Sequence, residues 1–207
     1  VRLGFPMAFQ RILFTIVNII LAKIIAIFGT NSIAAQKIGL QIESITYMVI
    51  GGLNGAISSF TGQNFGANKF KRIKQGYYTA LLLGIIYSII MSIIFIVFKE
   101  PIIKLFIREE NTILIAGGYL QAVAFSQSFS TIEMVSNGLF TGLGMPKIPA
   151  IISVVFTLLR IPMALILMKS LGINGVWWSI AISSILKGLA AYFIYLIKIR
   201  RNYKDVK

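Results

Sequence analysis

The sequence predicts an all-α membrane protein built as a bundle of six transmembrane helices. Composition is the first reason: 57% of the 207 residues are hydrophobic and only 13% are charged, against about 25% charged in an ordinary soluble domain. Mean hydropathy is +0.85, so polar side chains are too few to cover a water-facing surface, and lipid must be part of the solvent. Patterning is the second reason: the apolar residues gather into runs at 4–28, 33–61, 77–98, 113–141, 148–168 and 173–197. Each run meets or exceeds the roughly 20 residues that cross a hydrocarbon core. Barrel strands would instead be about 10 residues long and alternating.

The first run carries a short polar stripe of Arg11, Thr15 and Asn18 and ends at the turn Phe28-Gly29-Thr30-Asn31. In the second, Gln36, Glu43, Tyr47, Asn54, Ser58 and Thr61 fall within a sector of roughly 60° at helical spacing. It breaks at Gly62-Gln63-Asn64-Phe65-Gly66, a string with turn chemistry. The third run has no charge and reads as a lipid-facing or purely structural helix. Residues 99–110 (KEPIIKLFIREE) are too short to span and are expected to lie along the interface as an amphipathic stretch. The fourth run repeats the narrow stripe with Tyr119, Ser126, Ser130, Glu133 and Asn137, and breaks at Gly142-Leu143-Gly144-Met145-Pro146. The fifth has Ser153, Thr157 and Arg160, with Pro162 inside it, and the sixth offers Ser183 and Lys187. Trp177, Trp178, Tyr192 and Tyr195 lie towards the ends of the sixth and are expected to be interfacial anchors. Residues 201–207 are a basic tail.

An even number of spans puts both termini on one side. That side carries Arg2, Lys69, Lys71, Arg72, Lys74, Lys147, Lys198, Arg200, Arg201, Lys204 and Lys207; the other has Lys99, Lys104, Arg108 and Lys169 beside Glu100, Glu109 and Glu110. The bias places both termini in the cytoplasm, with the bundle in the inner (plasma) membrane. The net charge of +14 is spent at helix ends on anionic lipid headgroups, and no nucleic-acid partner is expected. With no Cys, no His and a single Asp, Asp205, in the tail, thiolate or imidazole metal sites, disulfides and an intramembrane aspartyl pair are excluded. An enzyme is not expected, and neither a metal site nor a cofactor is implied. The chain opens on Val1 without a charged leader and reads as one half of something larger.

A charge at mid-bilayer costs about 2.5–3.5 kcal/mol even on lenient scales, so intramembrane charges face protein or water. The stripes therefore point to a hydrated cavity lined by Gln36, Tyr47, Asn54, Ser130, Asn137, Arg160 and Lys187. The alternative is interhelical glue at roughly 0.6 kcal/mol per bond; it stays open for Ser, Thr and Asn positions, and for Glu43. Arg11 reads equally as anchor or cavity residue. Glu133 and Lys187 lie far from either interface and point to function. Glu133 can be protonated, hold a cation, or pair with Arg160 or Lys187, and exchange among those states could couple an ion gradient to transport. Glu133 and Glu43 are the candidate ion-coupling residues.

The assembled strings resemble the C-terminal half of a multidrug and toxic compound extrusion (MATE) family transporter. They are Leu3-Gly4-Phe5-Pro6, Gly62-Gln63-Asn64-Phe65-Gly66-Ala67 followed by Arg72, Asn137-Gly138-Leu139-Phe140-Thr141-Gly142-Leu143-Gly144 before Pro146 and Pro149, and Arg160-Ile161-Pro162. The resemblance covers residues 1–200 and implies one six-helix lobe of a twelve-helix transporter, with the N-terminal six-helix half as its partner. It further implies export of cationic drugs or other small molecules driven by Na⁺ or H⁺, the coupling ion being the one cofactor-like requirement. An acidic residue that some members carry in this lobe's first helix has Gln10, Arg11 and Thr15 in its place, and one in the fourth helix falls near Ser130, one turn before Glu133. Glu133 is then the candidate substitute. The readings that compete with drug export are a lipid-linked oligosaccharide flippase of the wider superfamily and a membrane subunit with no transport path.

Overall fold

A computed structural model describes the backbone from residue 4 to residue 200 and the side chains from 12 to 199. Arg2, the side chains of Gln10, Arg11 and Arg200, and the basic tail at 201–207 lie outside the described residues. The described chain is helical from end to end. α1 spans Gly4–Ala26, α2 Thr30–Gly66, α3 Phe70–Val97, α4 Lys99–Lys104, α5 Glu110–Gly142, α6 Lys147–Leu158, α7 Arg160–Leu171 and α8 Ile173–Tyr195, and a π-helical turn follows at Leu196–Arg200.

Among the described residues, Phe70–Val97, Lys147–Leu171 and Ile173–Ile199 are long enough and contain a stretch apolar enough to cross a bilayer on length and composition alone. α2 and α5 are longer, at 37 and 33 residues, or about 55 and 50 Å. Their polar stripes lower their hydropathy; the stripe of each faces the other helix, while α2 keeps Leu40, Ile45, Met48 and Val49 exposed on its other side. α3 shows the converse: Leu82, Leu83, Ile86, Ile89, Ile90 and Ile93 are exposed, the outward apolar face that a helix against lipid requires.

The helix breaks depart from the sequence expectation at two places. The Gly62–Gly66 string is the last turn of α2, where Asn64 Nδ2 donates back to the Phe60 carbonyl at 2.8 Å. The stop comes at Asn68, whose φ of 57° lets the Lys69 amide donate to the Asn64 carbonyl at 2.8 Å, a left-handed helix cap. The fifth span is two helices meeting at Leu159, because Pro162 has no amide hydrogen to give the Leu158 carbonyl.

α5 is the centre of the bundle and packs along α2, α3 and α8. α2 and α5 run parallel and nearly touch. A Cβ on Gly138 would meet the Asn54 carbonyl oxygen at 2.5 Å, and one on Gly142 would meet that of Ser58 at 2.5 Å. Small residues four apart admit this approach, as at many membrane helix crossings.

Apolar side chains form two separate cores. One, towards the α1–α2 turn, holds Leu21, Ile25, Ile42, Phe95, Leu120 and Trp177. The other, towards the basic α2–α3 turn, holds Ile57, Tyr77, Leu139, Phe140 and Tyr195. Trp177 and Tyr195 are each 1% exposed and are core residues, not interfacial anchors. Trp177 packs edge-on against Tyr119 with ring centroids 5.2 Å apart, and Tyr195 lies on Tyr77 at 4.1 Å. Trp178 and Tyr192 are half-buried. The stretch at 99–110 likewise does not simply float on the interface, because Ile103 of α4 is fully buried.

A charged layer between two apolar cores

Between the two cores the bundle is polar. Glu43 and Tyr47 of α2, Ser126, Ser130 and Glu133 of α5, Ser153 of α6, Arg160 at the start of α7, and Ser183, Ser184 and Lys187 of α8 occupy this interval. Each is buried or half-buried. Helical spacing explains the convergence. Parallel α2 and α5 present residues about 80 apart in sequence to each other, so Glu43 meets Tyr119 and Tyr47 meets Ser130.

Glu43, Glu133 and Arg160 are held by hydroxyls. Glu43 is 8% exposed, and its Oε2 accepts a short hydrogen bond from the Tyr119 hydroxyl. Glu133 Oε1 accepts from Ser153 Oγ at 3.2 Å. Arg160 Nε donates to Ser183 Oγ at 3.0 Å and its Nη2 to Ser184 Oγ at 3.2 Å, while Ser183 itself donates to the Phe156 carbonyl at 2.8 Å. The break before Pro162 delivers Arg160 to α8 in this way. Lys187 is 5% exposed, and its Nζ stands 5.4 Å from the centre of the Phe14 ring, a cation–π distance.

Two carboxylates and two cations thus share one layer without a contact ion pair. Among the described residues the ion pair within 4.0 Å is the exposed Lys104–Glu100 couple. Glu133 and Arg160 lie within electrostatic reach of Lys187, and Arg160 within reach of Glu43. Among the described residues Glu43 is held by the hydroxyls of Tyr119 and Tyr47 and Glu133 by that of Ser153, and a carboxylate held by hydroxyls keeps lone pairs for a proton or a small cation that one closed by a salt bridge would not.

Of the expected site residues, the structure brings together Glu43, Tyr47, Ser130, Glu133, Arg160 and Lys187. Asn54 stands apart from them, with its Nδ2 donating to the Met134 carbonyl at 2.6 Å, an interhelical bond. Asn137 is half-buried further along α5, with Oδ1 sealed and unbonded among the described residues. Gln36 is half-buried seven residues before Glu43 on α2. Sequence reading left out Ser184, Phe14 and Gln127. Ser184 adjoins the flagged Ser183 and could have been found from it, whereas Phe14 carries no polar signal. Gln127 is fully buried with neither amide atom bonded among the described residues; it falls off the stripe and escaped the periodicity argument. A separate cleft of about 600 Å³ between α4 and the start of α5, lined by Lys99, Lys104, Arg108 and Leu114 among others, shares no residue with the charged layer.

The MatE family model matches residues 6–166. "Probable multidrug resistance protein NorM" of Thermotoga maritima is 28% identical over 183 residues, which is 85% of this chain and 39% of that protein. Among solved structures, an inward-facing multidrug resistance MATE family transporter of the MOP superfamily superposes with a TM-score of 0.88 at 20% identity, over 100% of this chain and 48% of that one. A Pyrococcus furiosus transporter of the MOP superfamily, described as having a binding pocket of reverse polarity, gives 0.86 at 19%, over 96% and 46%. The chain spans less than half the length of these relatives.

Proposed function

That the chain belongs to the MatE family is the premise from which we propose its activity. It works as the C-terminal half of a secondary antiporter, exporting drugs or organic cations by alternating access in exchange for Na⁺ or H⁺. The observation that carries this reading is the charged layer. Four ionisable side chains sit between two apolar cores, Glu43, Glu133 and Arg160 with hydroxyl partners and Lys187 beside the Phe14 ring. A bundle that needed only to hold itself together would gain little from them, since intramembrane charges are costly and interhelical bonds weak.

In the proposed cycle Glu133, with Glu43 behind it, takes up the coupling ion when the lobe opens outward. The bound ion cancels a buried charge and so changes the relative cost of the two open states. The solute, bound against the same layer, displaces the ion on the inward side. A ligand shifts such an equilibrium only by its differential affinity for the two states, and a carboxylate that is charged in one and neutralised in the other supplies that difference. No bond is made or broken, so no catalytic residue is assigned. The N-terminal half forms the facing wall of the cleft, and both termini of this chain lie in the cytoplasm beneath the inner membrane.

The test is uptake by proteoliposomes containing the complete transporter. A Na⁺ or proton gradient imposed in the exchange direction drives accumulation of a cationic dye, and collapsing the gradient abolishes it. Uptake indifferent to both gradients contradicts the coupling.

A further inference from the structure

We propose that the cleft between α4 and the start of α5 holds one phosphatidylethanolamine molecule, its phosphate on Lys99 and Arg108 and its ammonium on Glu110. The cleft measures about 600 Å³, inside the range of about 300–1,000 Å³ usual for small-molecule sites. Its walls are fixed. Ile103 is fully buried and anchors α4 in the bundle. Glu109 ties the following loop to its neighbours, with Oε1 accepting from Asn31 Nδ2 at 2.9 Å and Oε2 from Thr112 Oγ1 at 2.7 Å.

The depth of the cleft points to a lipid. α3 has 28 residues and is about 42 Å long, close to the roughly 40–45 Å of a bilayer with its headgroups. It starts at the basic α2–α3 turn, so α4 begins at the headgroups of the opposite leaflet. The surface changes character there. Val97 and Phe98 are exposed just before Lys99, and Leu114, which lines the cleft one turn into α5, is 80% exposed. Phe125, about three turns further along the same side of α5, is exposed as well. A charged cleft that opens onto an apolar strip suits a molecule with a charged head and hydrocarbon chains.

Charge selects the headgroup. Lys99, Glu100, Lys104, Arg108 and Glu110 line the cleft, and Lys104 and Glu100 pair with each other at 3.9 Å. Lys99, Arg108 and Glu110 have no ion pair within 4.0 Å among the described residues. Two cations remain for a phosphate and one acid for an ammonium. Arg supplies a planar fork and Lys a point charge, and the bonds to phosphate and to Glu110 are charge-assisted. Across 99–110 three cations and three acids cancel, whereas the α2–α3 turn has Lys69, Lys71, Arg72 and Lys74 without an acid. An anionic lipid would leave Glu110 unpaired, and a choline headgroup has no N–H to give it. Ethanolamine satisfies all three side chains.

Native mass spectrometry of the complete transporter in detergent tests this, with dioleoyl phosphatidylethanolamine, phosphatidylcholine and phosphatidylglycerol as probes. One phosphatidylethanolamine should bind about tenfold or more tighter than either of the others. Lys99→Gln with Arg108→Gln should weaken it about tenfold or more, the loss of charge-assisted bonds, while Lys99→Arg retains it. Glu110→Gln should bring phosphatidylethanolamine down to the affinity of phosphatidylcholine. These side chains are exposed or half-buried, so the thermal midpoint of each variant should match that of the unaltered protein. Glycerophosphoethanolamine, the headgroup without chains, should compete about a hundredfold more weakly. Phosphatidylglycerol bound as tightly as phosphatidylethanolamine, or lipid binding that the variants leave unchanged, overturns the proposal. Competition by glycerophosphoethanolamine at equal affinity overturns it too, because the occupant would then be a soluble molecule.

Discussion

Replacing Glu133 by Gln removes the charge assigned to coupling and almost nothing else. The amide keeps an oxygen where Glu133 Oε1 accepts from Ser153 at 3.2 Å, so the contact to α6 survives. What is lost is the difference between a hydrogen bond to a charged group and one to a neutral group, about 0.5–1.5 kcal/mol, together with the attraction that Glu133 exerts on Lys187. Folding in detergent is therefore expected to be little altered. Transport changes in kind: a tenfold gradient of a coupled monovalent ion is worth about 1.4 kcal/mol, enough to concentrate solute about tenfold at one ion per cycle. Glu133→Gln proteoliposomes should relax to equal solute concentrations on both sides while still exchanging labelled solute passively. The assay is steady-state accumulation of a fluorescent dye under imposed Na⁺ and proton gradients, beside exchange at zero gradient. Full gradient-driven accumulation by Glu133→Gln would remove Glu133 from the coupling role.

Tyr119→Phe deletes the hydroxyl that Glu43 accepts from but keeps the ring packed on Trp177. It should cost about 1–3 kcal/mol, read as a lowered thermal midpoint in detergent. Asn54→Leu removes the bond to the Met134 carbonyl and should cost about 0.6 kcal/mol, at most about 1.7, with dye accumulation unchanged; abolished transport in a folded Asn54→Leu protein would return Asn54 to the cavity. Gly138→Leu forces a side chain against the Asn54 carbonyl, which a Cβ already meets at 2.5 Å. Overpacking of about 1–3 kcal/mol or more should part α2 from α5, seen as lost thermal stability. Pro162→Ala restores an amide donor at the α6–α7 break, which should straighten the segment and withdraw Arg160 from Ser183 and Ser184; transport falls while folding is retained, and unchanged transport would separate the kink from function.

The bundle and the charged layer were legible for one reason: both follow from the cost of polarity in lipid. That cost makes a long apolar run a helix and turns Glu43, Glu133 and Lys187 inward, and the structure leaves none of the three exposed. Roles set by contact were not legible. Asn54 and Tyr47 share one stripe of α2, yet Asn54 meets a backbone carbonyl while Tyr47 meets Ser130. The difference lies in how closely Gly138 lets α5 approach, a property of two helices together. Trp177 and Tyr195 were misplaced because an aromatic near a span end suits an interface or a core equally well, and α5 and α3 decide by covering them. The Gly62–Gly66 string has turn composition but stays helical, since the Asn64 side chain bonds within its own helix and the break moves on to Asn68.

The central claim is that water, and not lipid or solid packing, reaches the charged layer in the working transporter. This chain has no cysteine, so single cysteines can be placed in it without background from this half. In proteoliposomes a membrane-impermeant maleimide should label Ser130→Cys and Glu133→Cys. It should spare Ile90→Cys, whose site on α3 is 51% exposed yet faces hydrocarbon. Labelling at Ile90 with silence at 130 and 133 would contradict the account.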